Sequence, residues 1–336
     1  MADVLCTLPL PEPFPSTVAA QASLQTLGRI PAHDELMALL REHPVDVLCP
    51  QLRDRVDAAV LDAGLPRLRC VAVYAVGYDS VDVEAATERG VVVGNTPGVL
   101  TDATADCTMA LILAASRRIV EGDREMRAGR FTGWEPGYLL GIELRTALLG
   151  VVGFGRIGQA VARRALCFGM RVAYADTTDP PVAGDLVAAV TRSDFATLVR
   201  NADVLTLHTP LTEETHHLID ERVLRDMKPT AVLVNTSRGA VIDEAALVRA
   251  LREGWIAGAG LDVYEAEPRT APGLAECATA VLSPHLGSAT VTTRSAMAEL
   301  VAQNTIDALG GRLPRHCVNP EAWSGRSHAS LLSDRG

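Results

Sequence analysis

The chain has 336 residues, with 31 Lys and Arg against 41 Asp and Glu for a net charge of -10, and 48% of its residues are hydrophobic but only 4% aromatic. That length exceeds what one hydrophobic core usually holds, so two domains are expected, and the aliphatic composition reads as a soluble α/β protein rather than a disordered or fibrous one. The acidic balance without a long basic run argues against nucleic acid as a partner. No apolar run approaches the ~20 residues of a membrane helix, and the first residues lack a basic-then-apolar leader, so no membrane partner and a cytoplasmic location are expected.

In chain order, the first hundred residues carry a modest set of strand and helix patterns. Strands are expected over residues 45–49, 68–73 and 91–93 and helices over 34–41 and 81–89, which reads as a smaller α/β domain. Residues 103–119 are apolar almost all round a helix, which predicts burial between domains or subunits and a hinge role. From residue 147 onward, Val/Leu runs over 147–152, 171–175, 204–207, 231–235, 258–263 and 280–283 alternate with helical patterns over 159–168, 194–201, 220–225 and 243–253. That alternation predicts a parallel, doubly wound sheet. The last residues, 324–336, are polar and unpatterned and are expected to form a disordered tail.

The seven cysteines are widely scattered, with no closely spaced pair. They read as small buried apolar side chains, and no metal site is predicted.

Gly153-Phe154-Gly155-Arg156-Ile157-Gly158 is a G-x-G-x-x-G that follows a strand and opens a helix, and the next strand ends on Asp176. Gly153 permits the tight turn, Gly155 lets the backbone approach a pyrophosphate, and Gly158 lets helix and strand pack closely. The helix N-terminus then offers free N–H groups to the anion. Asp176 suits the hydroxyls of an adenosine ribose and repels a 2′-phosphate, and no base follows at residues 177–179. NAD is therefore expected over NADP.

In an open parallel sheet, ligands lie beyond the carboxyl ends of the strands. The polar residues there include His208-Thr209-Pro210, Thr236, Arg238, Asp262, Glu267 and His285, with Gly287 in the last of these turns. Arg238 offers a fork for the carboxylate of a 2-oxo acid, His285 suits proton exchange with the carbonyl oxygen, and Glu267 would hold one ring nitrogen of His285. Read singly, each has a structural alternative: Arg238 could pin a loop, Glu267 could be a solvated turn residue and His285 a helix-entry residue. His208 reads as a wall of the cofactor pocket, and His216 and His217 as solvated.

Val76-Gly77-Tyr78-Asp79, residues 153–158, 207–211, 235–239, 260–268 and 283–290 together resemble the D-isomer-specific 2-hydroxyacid dehydrogenases, over roughly residues 45–320. The resemblance implies a Rossmann NAD-binding domain (101–289) inserted into a flavodoxin-like substrate domain (1–100 and 290–323), a cleft that closes on substrate, and a homodimer built largely from residues 103–144. It assigns Arg238 to the substrate, His285 to acid/base chemistry with Glu267 as partner, and the N–H groups of Val76 and Gly77 to the substrate carboxylate. It places Asp262 at the nicotinamide carboxamide and makes Thr104, Arg156, Ile157, Thr209, Pro210 and Thr236 cofactor-lining; Gly287 is counted with them.

Within the family, Gly133-Trp134-Glu135-Pro136 through Leu140-Gly141 is similar to the glyoxylate and hydroxypyruvate reductases, where this Trp reaches the neighbouring subunit's pocket. The alternative for Trp134 is packing alone. Many such reductases carry a base after the second strand and use NADP, whereas this chain has Asp176. A phosphite dehydrogenase would carry Lys where Val76 stands, and a formate dehydrogenase Gln where Glu267 stands. Phosphoglycerate dehydrogenase, phosphite dehydrogenase despite Val76, and a non-catalytic, corepressor-like NAD sensor stay open as alternatives.

Overall fold

The computed structural model describes residues 2–324, which fall into two compact units: residues 2–100 with 290–324, and Thr101–Ala289. The first unit contains β1 (Asp3–Cys6), α1 (Phe14–Ala19), β2 (Ser23–Thr26), α2 (His33–Glu42), β3 (Val47–Cys49), α3 (Ala58–Gly64), β4 (Cys70–Ala72), α4 (Val83–Glu88) and β5 (Val92–Gly94). The second contains α5 (Thr101–Ser116), α6 (Ile119–Arg127), β6 (Leu148–Val152), α7 (Arg156–Cys167), β7 (Arg171–Ala175), β8 (Val190–Arg192), α8 (Phe195–Asn201) and β9 (Val204–Leu207). It continues with α9 (Glu221–Asp226), β10 (Val232–Asn235), α10 (Glu244–Glu253), β11 (Gly258–Leu261) and β12 (Ala280–Leu282). The chain then returns to the first unit as α11 (Val291–Leu309) and α12 (Glu321–Ser324). The tail expected from residue 324 lies outside the described residues except for Ser324, which ends α12.

Every strand pairing in both sheets is parallel. The first unit's sheet runs β2-β1-β3-β4-β5, the flavodoxin-like 2-1-3-4-5 order, and the second unit's runs β12-β11-β10-β9-β6-β7-β8, the doubly wound order of dinucleotide-binding domains extended by one strand. The α/β, doubly wound class read from the sequence is the observed one. In the second sheet the direction of winding reverses between β6 and β9, so the turns that leave these two strands flank the position where ligands bind in such sheets.

The strands are short apolar runs because both faces are covered. Leu149, Val151, Val204, Leu205, Leu207, Leu233 and Val234 are buried in the second sheet, with α5 and α7 packed on one face and α8, α9 and α10 on the other. Helix starts are set by aspartates: Asp57, Asp82, Asp194, Asp220 and Asp243 each accept a backbone N–H two or three residues on. α5 packs on α7, β10, β11 and β12, so its all-round apolar pattern is accounted for inside the second unit, and it stops at Ser116 rather than continuing to residue 119.

Six of the expected strands of the second unit are present with ends within two residues. β1, β2, α1, α3, α6, β8 and α11 have no counterpart in the sequence reading. β2 and β8 are edge strands with mostly exposed side chains, so they lack an apolar alternation, and α11 buries Asn304, Thr305 and Asp307 among its small apolar residues, which blurs its stripe. Four of the cysteines are buried, Cys107 and Cys317 are half-buried and Cys167 is exposed. Burial pushes the Cys107 thiol up to about 11, consistent with an inert side chain. No helix among the described residues is long and apolar enough to cross a membrane.

Candidate active site

The turn after β6 is a cradle with one open side. Gly153 has φ +86° and lies so close to His208 that a Cβ would stand 2.7 Å from its carbonyl oxygen, and a Cβ at Gly158 would overlap the Gly153 carbonyl oxygen. A Cβ at Gly155, by contrast, would meet nothing within 4 Å. Gly155 is also the N-cap of α7, where no side chain caps the helix start. Two glycines are thus required by the turn itself, while the third keeps clear a space faced by a helix N-terminus, which suits an anion such as a pyrophosphate.

Asp176, at the end of β7, accepts the N–H of Phe154 through Oδ2 at 2.7 Å and the N–H and hydroxyl of Thr178 through Oδ1 at 2.9 and 2.8 Å. Burial alone would raise its carboxyl, but these donors and the charge of Arg192 hold it below the usual range. The carboxylate therefore stays ionised and fixes the glycine turn from behind. Gln159 completes the hold, donating to the carbonyls of Phe154 and Pro181 at 3.0 Å each and accepting the N–H of Ala183 at 3.0 Å. Arg156 is exposed and Ile157 half-buried at the helix start.

On the other side of the reversal, His208 follows β9. Burial pushes its imidazole down to about 3, so it is neutral, and Nε2 lies 3.0 Å from Thr206 Oγ1. Thr209 Oγ1 is buried with no hydrogen-bond partner, a polar atom that a bound cofactor would satisfy, and Pro210 is exposed beside it. Thr236 and Thr108 share a hydroxyl–hydroxyl bond of 2.8 Å, and Thr108 also donates to the carbonyl of Thr104, which is buried beside Gly287. The open glycine turn, the uncapped helix and the orphaned hydroxyl together fit a dinucleotide.

Three successive strand ends carry Arg238, Glu267 and His285. Asn235, the last residue of β10, accepts the N–H and hydroxyl of Ser237 and donates to the Arg238 carbonyl at 2.8 Å, folding the turn that presents the half-buried guanidinium. The backbone at Gly239 passes so close to Tyr264 that a Cβ would overlap its carbonyl carbon, which presses the Arg238 turn against the turn bearing Glu267.

His285 has φ +55°, a left-handed conformation costing a side-chain-bearing residue about 1–2 kcal/mol. Its N–H donates to the carbonyls of Asp262 and Ser283. The turn is secured by Asp262, 1% exposed, whose Oδ1 accepts the Ser283 hydroxyl at 2.5 Å and the Leu286 N–H at 2.7 Å while Oδ2 accepts the Gly287 N–H at 2.7 Å. Asp262, expected from the resemblance at the nicotinamide carboxamide, also holds the His285 turn.

His285 Nδ1 stands 3.1 Å from Glu267 Oε2 and 3.2 Å from Oε1, and Oε1 also accepts the N–H of Tyr264 at 3.2 Å. Burial alone would raise the Glu267 carboxyl. The hydrogen bond and charge of His285, the Tyr264 N–H and Arg238 hold it instead below the ordinary value of 4.5. With Nδ1 facing a carboxylate, Nε2 is the ring atom left for proton exchange.

These features have a sequence counterpart. A family profile described as "D-isomer specific 2-hydroxyacid dehydrogenase, NAD binding domain" matches residues 109–287. A glyoxylate reductase of Thermococcus litoralis is 50% identical over 297 residues, 87% of this chain and 88% of its own. The chain belongs to the D-isomer specific 2-hydroxyacid dehydrogenases. It is an oxidoreductase with an NAD-binding domain. A solved structure of a protein from Thermus thermophilus superposes with a TM-score of 0.87 at 44% identity, over 94% of this chain and 99% of its own. An NADPH-dependent glyoxylate/hydroxypyruvate reductase from Sinorhizobium meliloti superposes with a TM-score of 0.82 at 33% identity, over 96% and 99%.

In this dehydrogenase Val76 and Gly77 lie in the first unit, beyond β4, where the Asn95 amide donates to the Val76 carbonyl at 2.8 Å. Trp134 lies in the second, 82% exposed, in a stretch whose return is fixed by the Ile142 N–H on the Ser116 carbonyl at 2.8 Å. Arg192 is a base the sequence reading did not place here: from β8 it donates to the carbonyls of Asp176 and Thr178 and to Asp179 Oδ1. Gln159 and Glu244 were also missed, because they bind backbone groups at least 20 residues away or across a helix start, which no local pattern shows. His217 is not solvated as expected; it pairs with Glu265 Oε1 at 2.6 Å. With exposed His216, these are the residues among those described that bring possible metal-ligand atoms within 4.8 Å.

The glycine turn yields a test. Gly158→Ala should lower the unfolding midpoint, since its Cβ has no room, whereas Gly155→Ala should leave the midpoint unchanged and weaken NADH binding about 10-fold or more. Titration of NADH fluorescence beside thermal unfolding checks both. Unchanged NADH affinity in Gly155→Ala would remove the dinucleotide from this turn.

Proposed function

We propose that this D-2-hydroxyacid dehydrogenase reduces a small 2-oxo acid, glyoxylate or hydroxypyruvate, to the 2-hydroxy acid of D configuration, with NADH as reductant. The observation that carries the reading is the placing of Arg238, Glu267 and His285 at the ends of three adjacent strands of the NAD-binding unit, with His285 Nδ1 3.1 Å from Glu267. Similarity to relatives named glyoxylate reductase supports the substrate class.

A nicotinamide dinucleotide held at the 153–158 turn and the start of α7 would supply the hydride chemistry. Arg238 binds the substrate carboxylate and draws electron density toward the carbonyl oxygen. His285, with Nδ1–H held by Glu267, delivers a proton from Nε2 to that oxygen, so one hydride and one proton give the alcohol. In oxidation His285 accepts the proton instead. The N–H groups of Val76 and Gly77 belong to the same reading as anchors for the carboxylate. Because the Glu267 carboxyl is held below 4.5, its pairing with His285 is complete above that pH and is lost only as pH falls through the lower folded value.

A steady-state screen of NADH oxidation with glyoxylate, hydroxypyruvate, pyruvate and larger 2-oxo acids tests the reaction. Saturable turnover with a small 2-oxo acid is expected, and His285→Ala should lower kcat about 10²-fold or more. Silence with every acid despite measured NADH binding would overturn the reading.

For the cofactor, the ionised Asp176 at the end of β7 favours NAD, because a 2′-phosphate there would meet its charge, while Arg192 is engaged with Asp179 and two carbonyls of the same loop. The ratio of kcat/KM with NADH to that with NADPH should exceed about 10, and fall toward one in Asp176→Ser. Equal efficiencies in the wild type would contradict the assignment.

The protein is further read as a homodimer. Ile119, Met126, Phe131, Trp134 and Leu140 are all exposed within the stretch 119–140 of one chain, a concentration of large apolar side chains that a second copy could cover. Packed on a second copy, that stretch would bring Trp134 toward the partner's substrate pocket. Light scattering should give twice the chain mass, and Trp134→Ala should change the ranking of 2-oxo acids but not the choice of cofactor. A monomeric mass would contradict the proposal.

A further inference from the structure

Glu244 plays no part in the chemistry described so far, yet it is a buried acid that bridges two elements of the second unit. It is the first residue of α10, after the cap Asp243, and its side chain is buried at 3% exposure. Its carboxylate turns to the loop that follows β11. One oxygen, Oε1, accepts the N–H of Glu265 at 2.6 Å, and Oε2 accepts the N–H of Ala271 at 2.8 Å. The two donors bracket the turn that carries Glu267, which closes on itself through the Arg269 N–H and the Ala266 carbonyl at 2.9 Å. In return, the Glu244 N–H donates to Glu265 Oε2 at 3.2 Å.

Electrostatics does not explain an acid at this place. Burial pushes the Glu244 carboxyl up, and the like charges of Glu265 and Glu267 push it further, against the two N–H donors that lower it. What the place requires is two acceptors and no donor on one side chain. A carboxylate provides that, whereas an amide of the same length turns an NH₂ against one of the two N–H groups.

We propose that Glu244 is a positioning residue for proton transfer, gripping both ends of the 265–271 turn so that the Glu267 carboxylate stays against His285 Nδ1. This rests on the acid/base reading of Glu267 and His285 given above. The turn has no helix or strand of its own between Glu265 and Ala271, and Glu244 is the side chain that accepts a backbone N–H at each of its two ends; without it, the Glu265 side chain's bonds to His217 and to the Glu244 N–H tether one end only, and more of the hold falls on Glu267. Glu267 would then have to hold the loop and orient the imidazole together.

The groups facing this network set the sign of its pH response. Glu267 faces His285 and Arg238, which favour its ionised form, and Glu244, which opposes it; the Tyr264 phenol stands near Asp262, Glu244 and Glu267, and Glu265 is paired with His217. If Glu244 acted through its charge alone, Glu244→Gln would remove a repulsion and move the acid limb of activity to lower pH. If Glu244 positions Glu267, the same variant releases a buried carboxylate from the partner that keeps it ionised, and the acid limb moves to higher pH.

The test is the pH profile of kcat for NADH-dependent glyoxylate reduction in the wild type, Glu244→Gln, Ala271→Pro and His285→Ala. Ala271→Pro deletes one of the two gripped N–H groups and leaves the Glu244 charge in place, so it decides the matter if Glu244→Gln does not fold. Both variants should lower kcat about 10-fold and shift the acid limb upward, with KM for NADH unchanged. A limb that is unmoved or shifted downward, with kcat within about twofold of wild type, would overturn the proposal. Wild-type kcat and profile in His285→Ala would instead remove the acid/base reading on which it rests.

Discussion

Buried or half-buried carboxylates that accept backbone N–H groups hold the whole working end of the second unit in place. Asp176 takes the N–H groups of Phe154 and Thr178, Asp262 those of Leu286 and Gly287, and Glu244 those of Glu265 and Ala271. A parallel sheet releases every strand at the same edge into a loop whose N–H groups have lost the ladder, and leaving such groups unpaired in a buried setting costs about 1–3 kcal/mol each. A carboxylate accepts two or more of them with charge-assisted bonds. One side chain can therefore set the shape of an entire turn.

The arrangement has a chemical consequence. The turn of His285 and the turn of its partner Glu267 take their shape from two acids, Asp262 and Glu244, whose carboxylates accept the turns' own N–H groups, while the Arg238 turn is folded by the Asn235 amide. Asp262 shows this most directly, since it holds the turn in which His285 takes up a left-handed backbone conformation. The strain is confined to one residue and offset by three bonds to one carboxylate. Glu267 stands between the two classes: one oxygen shares the Tyr264 N–H, and both face the imidazole. It is the only one of these acids whose carboxylate is turned on a side chain of the proposed acid/base pair.

Much of this was legible in the sequence, for a physical reason. A glycine-rich turn needs glycines at fixed spacing and a buried parallel strand needs an unbroken apolar run, so Gly153–Gly158 and six of the seven strands of the second unit show themselves locally. Arg238 and His285 stand out because each is a reactive side chain just beyond such a run, and Glu267 because it lies in the loop that leaves another. Glu244 and Gln159 do not. One lies at a helix start, where an acid is the ordinary choice for the dipole, and the other within an amphipathic helix, while their partners sit on loops far along the chain. Arg192 was hidden because β8 is a short exposed edge strand with no apolar signature. In the first unit, the exposed strand β2 and the polar interior of α11 masked elements that the strand order requires.

Whether inward-facing carboxylates fix the strand-end turns before any ligand arrives is tested most directly by residue-resolved amide hydrogen exchange on the cofactor-free enzyme. The N–H groups of Glu265, Ala271, Leu286 and Gly287 should exchange as slowly as those of the central strands β6 and β9, opening only with the unfolding of the unit. Exchange at the rate of an open surface loop at these four positions would contradict the account and place the ordering of the turns in the ligand instead.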